Sequence, residues 1–326
     1  MLRCFLITCF YCLITLSLMT LNNTYAAAQQ QEGQEQPAEQ TKPTSDTPQQ
    51  SDQQQSTNTD EQTVINRQTR RSKVAIAPPL DSNELTTSDL KHYLPAEEQQ
   101  PLLVGPDQYH TLITTNAAAN NKGVVILLAD WQQPATSPKA INYLRQTMPE
   151  QGWTTISIQP PAQPANYPST ALTLTKQQQE NKQALTESRE QLAKVLAEVM
   201  KKAQTYPGII IVVAEGHHSA LLFSLYQQQM AEQPMTLISL SAFLNDEEGN
   251  KQSAEALAKM DLPVLDLYLR TDHGLVKQAV KLRKKSVNQA LKSYFRQKEL
   301  FNSHTSYYPE KILLKEINGW LRSQGW

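Results

Sequence analysis

Two uninterrupted apolar runs constrain this chain more than any other feature: Gly123-Val-Val-Ile-Leu-Leu-Ala129 and Gly208-Ile-Ile-Ile-Val-Val213. Neither alternates with polar residues. Such a strand is buried on both faces, the situation of a central strand in a parallel sheet. Further strands are predicted over Leu102 to Gly105, Tyr109 to Thr114, Trp153 to Ile158, Thr236 to Leu240 and Pro263 to Leu269. Helical patterns lie between and after them. Ser137 to Pro149 reads as a helix with Ser137 as N-cap, Pro138 at its first position, and Tyr143 and Leu144 in the core. Leu174 to Tyr206 is a long helix with apolar positions at Leu185, Leu192, Val195, Leu196 and Val199. Ser219 to Met230, Ala254 to Met260, a basic stretch from Val276 to Phe295 and Glu310 to Leu321 complete the set. Alternating strand and helix predicts an α/β domain of three layers, a mostly parallel sheet with helices on both faces.

The first 73 residues follow another logic. Met1-Leu2-Arg3 gives a short positive start, an apolar run extends from Phe5 to about Leu21, and small residues follow at Ala26 to Ala28. That is the layout of a secretory signal peptide over residues 1–28, cleaved near Ala26 or Ala28. Residues 29–73 are Gln-rich, and such a segment buries too little apolar surface to offset its conformational entropy, so it is expected to be a disordered linker. It accounts for the low overall hydrophobic content of 39%. Arg67, Arg70, Arg71 and Lys73 read as its solvated end, and residues 74–326 as the folded domain. Cys4, Cys9 and Cys12 all fall in the signal segment, so the mature chain would carry neither disulfides nor thiolate-bound metal. The net charge of -1 offers no electrostatic basis for binding nucleic acid or an anionic membrane surface. The expectation is an exported protein without stable membrane insertion after cleavage, periplasmic in a Gram-negative source.

The order of elements from about Leu90 resembles the α/β-hydrolase fold. More closely, the phrases "HYLPAEE" (92–98), "GVVILLADW" (123–131), "GWTTISIQPP" (152–161), "AEGHHSA" (214–220), "PVLDLY" (263–268), "YFRQ" (294–297) and "INGWL" (317–321) are similar to a bacterial family, the domain of unknown function thirty-five-thirty. That resemblance implies the fold and leaves the activity unassigned.

In the α/β-hydrolase fold the strand-to-helix corner carries a nucleophile, usually in the form Gly-x-Ser-x-Gly. Here Ala214 and His218 stand at the flanking small positions and Gly216 at the centre, where no side chain is available to attack. Glycine suits the strained backbone of that corner, so the turn is kept while the nucleophile is absent. Ser219, at the helix start, is the candidate for an alternative reading as a serine-type esterase or acyl hydrolase, and a water activated by Glu215, His217 or His218 is another. The resemblance places His304 near the catalytic histidine position and Asp272 at that of the acid, while Asp266 reads as a buried, hydrogen-bonded acid.

Glu215, His217, His218 and His304 are the residue types of a metal site, but successive helical side chains diverge by roughly 100°, so neither a metal nor a cofactor is expected. The basic run Lys277, Lys281, Arg283, Lys284, Lys285, Lys292 and Arg296 reads as a solvated face, with partner binding as a lesser alternative. The expected ligand pocket lies at the carboxyl ends of the strands, near Asp130, Trp131, Glu215, Gly216, His217, His218 and His304, with Trp131 as an apolar wall. The leading expectation is thus a binding or scaffold module without hydrolase chemistry, acting on an unknown small molecule or envelope protein.

Overall fold

A computed structural model describes residues 82–303 and 307–326 of the chain. The expected signal segment, linker and His304 lie outside the described residues. Eight strands form one sheet: β1 (Gln99–Val104), β2 (Asp107–Thr114), β3 (Gly123–Leu128), β4 (Trp153–Ile158), β5 (Ile209–Glu215), β6 (Thr236–Leu240), β7 (Val264–Leu269) and β8 (Phe295–Leu300). Their spatial order is β1-β2-β4-β3-β5-β6-β7-β8. Only the β1–β2 and β2–β4 pairs are antiparallel. The rest of the sheet is parallel.

The helices are α1 (Ser82–Tyr93), α2 (Ile141–Thr147), α3 (Leu174–Ala203), α4 (Gly216–Gln227), α5 (Glu247–Lys259), α6 (Gly274–Ala290) and α7 (Glu310–Ser323). They cover both faces. Because side chains alternate along a strand, β3 sends Val124, Ile126 and Leu128 to the face packed by α3, α4 and α5, and Val125 and Leu127 to the face packed by α2 and α7. All five are fully buried, each worth about 1.5–3 kcal/mol relative to an exposed side chain. This is the doubly covered, mostly parallel architecture read from the apolar runs.

Three readings are corrected. Ser137 is not a helix cap: α2 begins four residues later, with Ala140 at its N-cap, because the Ser137 hydroxyl is engaged by Glu215. The basic helix ends at Ala290, and Phe295 opens strand β8. Arg283 is not on a solvated face. It is 2% exposed and forms a buried ion pair with Asp266, Nε to Oδ2 at 2.9 Å. Asp266 also accepts from Ser239 (3.0 Å) and Gln297 (2.8 Å). It is the buried, hydrogen-bonded acid its position in β7 suggested.

Candidate functional site

At the carboxyl end of β5 the chain turns through Gly216, whose φ of 53° is left-handed. The left-handed region is disfavoured for any residue with a Cβ. A second constraint is steric. A Cβ built on Gly216 would stand 2.1 Å from Asp130 Oδ2 and 2.2 Å from its Cγ. The carboxylate of Asp130, from the loop after β3, therefore fills the space into which a side chain at position 216 would project.

Asp130 is held there by three donors converging on Oδ1: the backbone N–H of Trp131 (2.8 Å), the backbone N–H of His217 (2.8 Å) and His217 Nδ1–H (2.9 Å). In this fold the oxyanion hole is built from the N–H of the residue after the nucleophile and one from the loop after β3. His217 and Trp131 occupy those two positions, and both of their amides are taken by an internal carboxylate. Burial pushes the Asp130 carboxyl up, but the His217 hydrogen bond and the two nearby histidines outweigh it and hold the group below its usual range.

The expected pocket residues divide into two sets. Asp130, Glu215 and Gly216 line a cavity of about 130 Å³ above the strand ends. Trp131, His217 and His218 do not line it. Trp131 is packed in the core and stacks on His217, with ring centroids 4.3 Å apart. Phe243 lies against the same imidazole, with its centroid 4.2 Å away. His218 Nδ1–H donates to the Ala129 carbonyl at 2.8 Å, and burial lowers its pKa to about 4. Trp131 is thus a clamp on His217 rather than a pocket wall.

Ser219, the nucleophile of the alternative reading, lies inside α4 at 0% exposure, and its hydroxyl meets no hydrogen-bond partner among the described residues. Among the described residues no imidazole hydrogen-bonds to it, as activation of a nucleophile would require. Asp272 follows β7 as expected of the acid position. Its Oδ2 accepts from the Leu269 N–H and the Ser241 hydroxyl, each at 2.6 Å. Ser241 Oγ lies 2.6 Å from the Tyr308 hydroxyl, so a Tyr308–Ser241–Asp272 chain spans the cavity. Burial is the main cause that raises the Asp272 pKa. Ser241, Tyr308, Lys139 and Phe243 also line the cavity and were not singled out in the sequence. The signal for Ser241 was available: it directly follows β6, at the end of the sheet where crevices form. Among the described residues no group of three His, Cys, Asp or Glu is placed to hold a metal ion. A larger groove of about 540 Å³ beside Pro164 and Glu180 lies elsewhere and carries no comparable buried cluster.

Glu215 is 4% exposed. Burial, then the charge of Asp130, pushes its pKa up to about 8. Because the folded value is raised, Glu215 contributes stability at low pH that is lost as pH rises through about 8. His218 acts oppositely: its lowered value costs stability as pH falls from about 6.5 to about 4. The two effects offset one another between about pH 4.5 and 6.5. Above that, Glu215 acts alone, and stability is expected to fall by about 1.4 kcal/mol per pH unit up to about 8. Urea denaturation at pH 6.5 and 8 should show that loss, and Glu215→Gln should abolish it. An unchanged slope in the variant would show that Glu215 does not carry it.

The fold has many solved counterparts. The carboxylesterase Cest-2923 from Lactobacillus plantarum is 10% identical, with a TM-score of 0.49 over 70% of this chain and 97% of that one. The dienelactone hydrolase from Anabaena variabilis is 10% identical, with a TM-score of 0.48 over 69% and 98%. An α/β serine hydrolase homologue from Coxiella burnetii is 15% identical, with a TM-score of 0.44 over 71% and 99%. At these identities the likeness concerns the fold alone. No curated protein sequence matches the chain. No described helix is long and apolar enough to cross a membrane. One family profile matches residues 10–323, nearly the whole length, and the chain belongs to that family, described as "Protein of unknown function (DUF3530)".

Proposed function

We propose that this chain is an exported, non-hydrolytic member of the α/β-hydrolase fold that binds a small ligand above the carboxyl ends of its strands, as a binding or scaffold module of the cell envelope. One observation supports the loss of hydrolysis above all others. The Asp130 carboxylate stands where a side chain at position 216 would project, and it accepts both amides that would otherwise stabilise an oxyanion. Removing one oxyanion-hole donor typically costs about 10²–10³ in kcat. Here both donors face an anion already, and like charge would exclude a second. The layout of residues 1–28 supports export.

The test is chemical. Full-length protein expressed in a Gram-negative host is expected in the periplasmic fraction, trimmed just after Ala26 or Ala28. It should resist labelling by a fluorophosphonate probe and leave simple p-nitrophenyl esters at the buffer rate. Labelling that Ser219→Ala abolishes would overturn the reading in favour of an esterase.

A further inference from the structure

The cavity above the strand ends shows the same arrangement three times. Each of its carboxyl groups has one oxygen engaged by the protein and one that accepts nothing from the described residues. Asp130 Oδ1 takes three donors and Oδ2 none. Glu215 Oε2 accepts from Ser137 Oγ at 3.2 Å, while Oε1 is buried without a partner. Asp272 Oδ2 accepts from Leu269 and Ser241, and Oδ1 from neither. A buried polar atom left unpaired costs about 1–3 kcal/mol, so the Glu215 carboxylate, once its proton is lost, calls for a donor. The lining also includes the apolar Leu240, Phe243 and Val276. Lys139 reaches the cavity but forms no ion pair among the described residues.

We infer that this cavity, taken as the ligand site of the non-hydrolytic reading, binds the ammonium group of a small free primary amine. An ammonium offers three N–H donors and no acceptor, and three carboxyl groups line the cavity. Its short carbon stem lies against the apolar lining residues. The charge balance agrees, with three carboxyl groups facing one lysine. An ammonium tolerates wider acceptor distances than a metal ion does. Metal ligands crowd within about 2.0–2.6 Å of the ion, whereas charge-assisted N–H donors keep acceptors about 2.7–2.9 Å away. The described residues present no cluster tight enough for a metal. A cavity of about 130 Å³ has room for a small amine.

Proton release accompanies binding. The groups facing Glu215 are Asp130 after β3, Lys139 before α2, Asp272 and His273 after β7, and Tyr308 before α7. Burial and Asp130 keep Glu215 protonated up to about pH 8, against the pull of Lys139 and Ser137. A cation must expel that proton, so affinity rises roughly tenfold between pH 7 and pH 9.

Titration calorimetry of the full chain with ethylammonium chloride tests this, with sodium chloride at equal ionic strength as reference and tetramethylammonium as a cation without N–H donors. Ethylammonium is expected to bind saturably and tetramethylammonium not. The rise with pH should disappear in Glu215→Gln, affinity should fall at least about tenfold in Asp272→Asn, and Lys139→Ala, a half-buried position away from the core, should bind more tightly. No saturable ethylammonium binding at pH 9, equal binding of tetramethylammonium, or a pH rise that persists in Glu215→Gln would each overturn the inference. Failure of amine binding leaves the non-hydrolytic reading standing. Fluorophosphonate labelling removes that reading whether or not the amine binds.

Discussion

Replacing Gly216 by alanine is expected to destabilise the domain by about 2–5 kcal/mol, lowering its melting temperature by roughly 10 °C. Two costs combine, and the second can be met in either of two ways. A left-handed backbone costs a residue with Cβ about 1–2 kcal/mol. The new methyl would overlap Asp130 Oδ2 at 2.1 Å, and overpacking costs typically 1–3 kcal/mol. If Asp130 yields instead, the Trp131 and His217 amides lose their acceptor, at about 1–3 kcal/mol. The diagnostic is a double-mutant cycle by urea denaturation. In the Asp130→Gly background the same alanine should cost less by about 1–3 kcal/mol, because the clash has gone. Strict additivity would show that Asp130 is not what fills the space. Serine at position 216 carries the same Cβ and therefore the same penalty, so a hydrolase nucleophile cannot be restored by that change alone.

The second large effect lies two strands away, at Asp266 in β7. Arg283→Met should cost about 3–5 kcal/mol, because it leaves the carboxylate of Asp266, 0% exposed, without its countercharge. It also removes donations to Asp266 Oδ1 (3.2 Å) and to the Ala242 carbonyl (2.6 Å). Ser239 and Gln297 would remain as neutral donors. Replacing both partners, Asp266→Leu with Arg283→Met, should recover most of the loss, since a buried pair seldom outperforms apolar residues of similar volume. Urea midpoints of the two variants decide the matter. A single variant within about 1 kcal/mol of the wild type would contradict the assignment.

Local composition made the centre of the sheet legible and the periphery not. β3 and β5 are apolar on both faces, and continuous runs such as "IIIVV" admit few other placements. β8, "FRQKEL", is an edge strand with half of its residues exposed, and its composition merges with the basic helix before it. Arg283 was nevertheless readable. Val276, Ala279, Val280 and Val287 mark the buried stripe of α6, and Arg283 falls within the same period. At the site, Gly216 could be recognised because the strained corner is a local feature. Asp130 was expected near it, but not that its carboxylate would accept the Trp131 and His217 amides, since the His217 contact joins residues 87 apart in sequence. Proximity of that kind arises from the parallel pairing of β3 with β5 and leaves no periodic trace in the sequence.

The rims of the sheet have a consequence for assembly. β1 carries an exposed Pro101, which cannot donate a ladder hydrogen bond, and β8 presents exposed Arg296, Lys298 and Glu299. Proline and charge on outer strands discourage a neighbouring copy from extending the sheet. Chains crowded together, during folding or at high concentration, are thereby protected against fibre-like stacking, and whatever this domain docks with should meet its loops and helices instead.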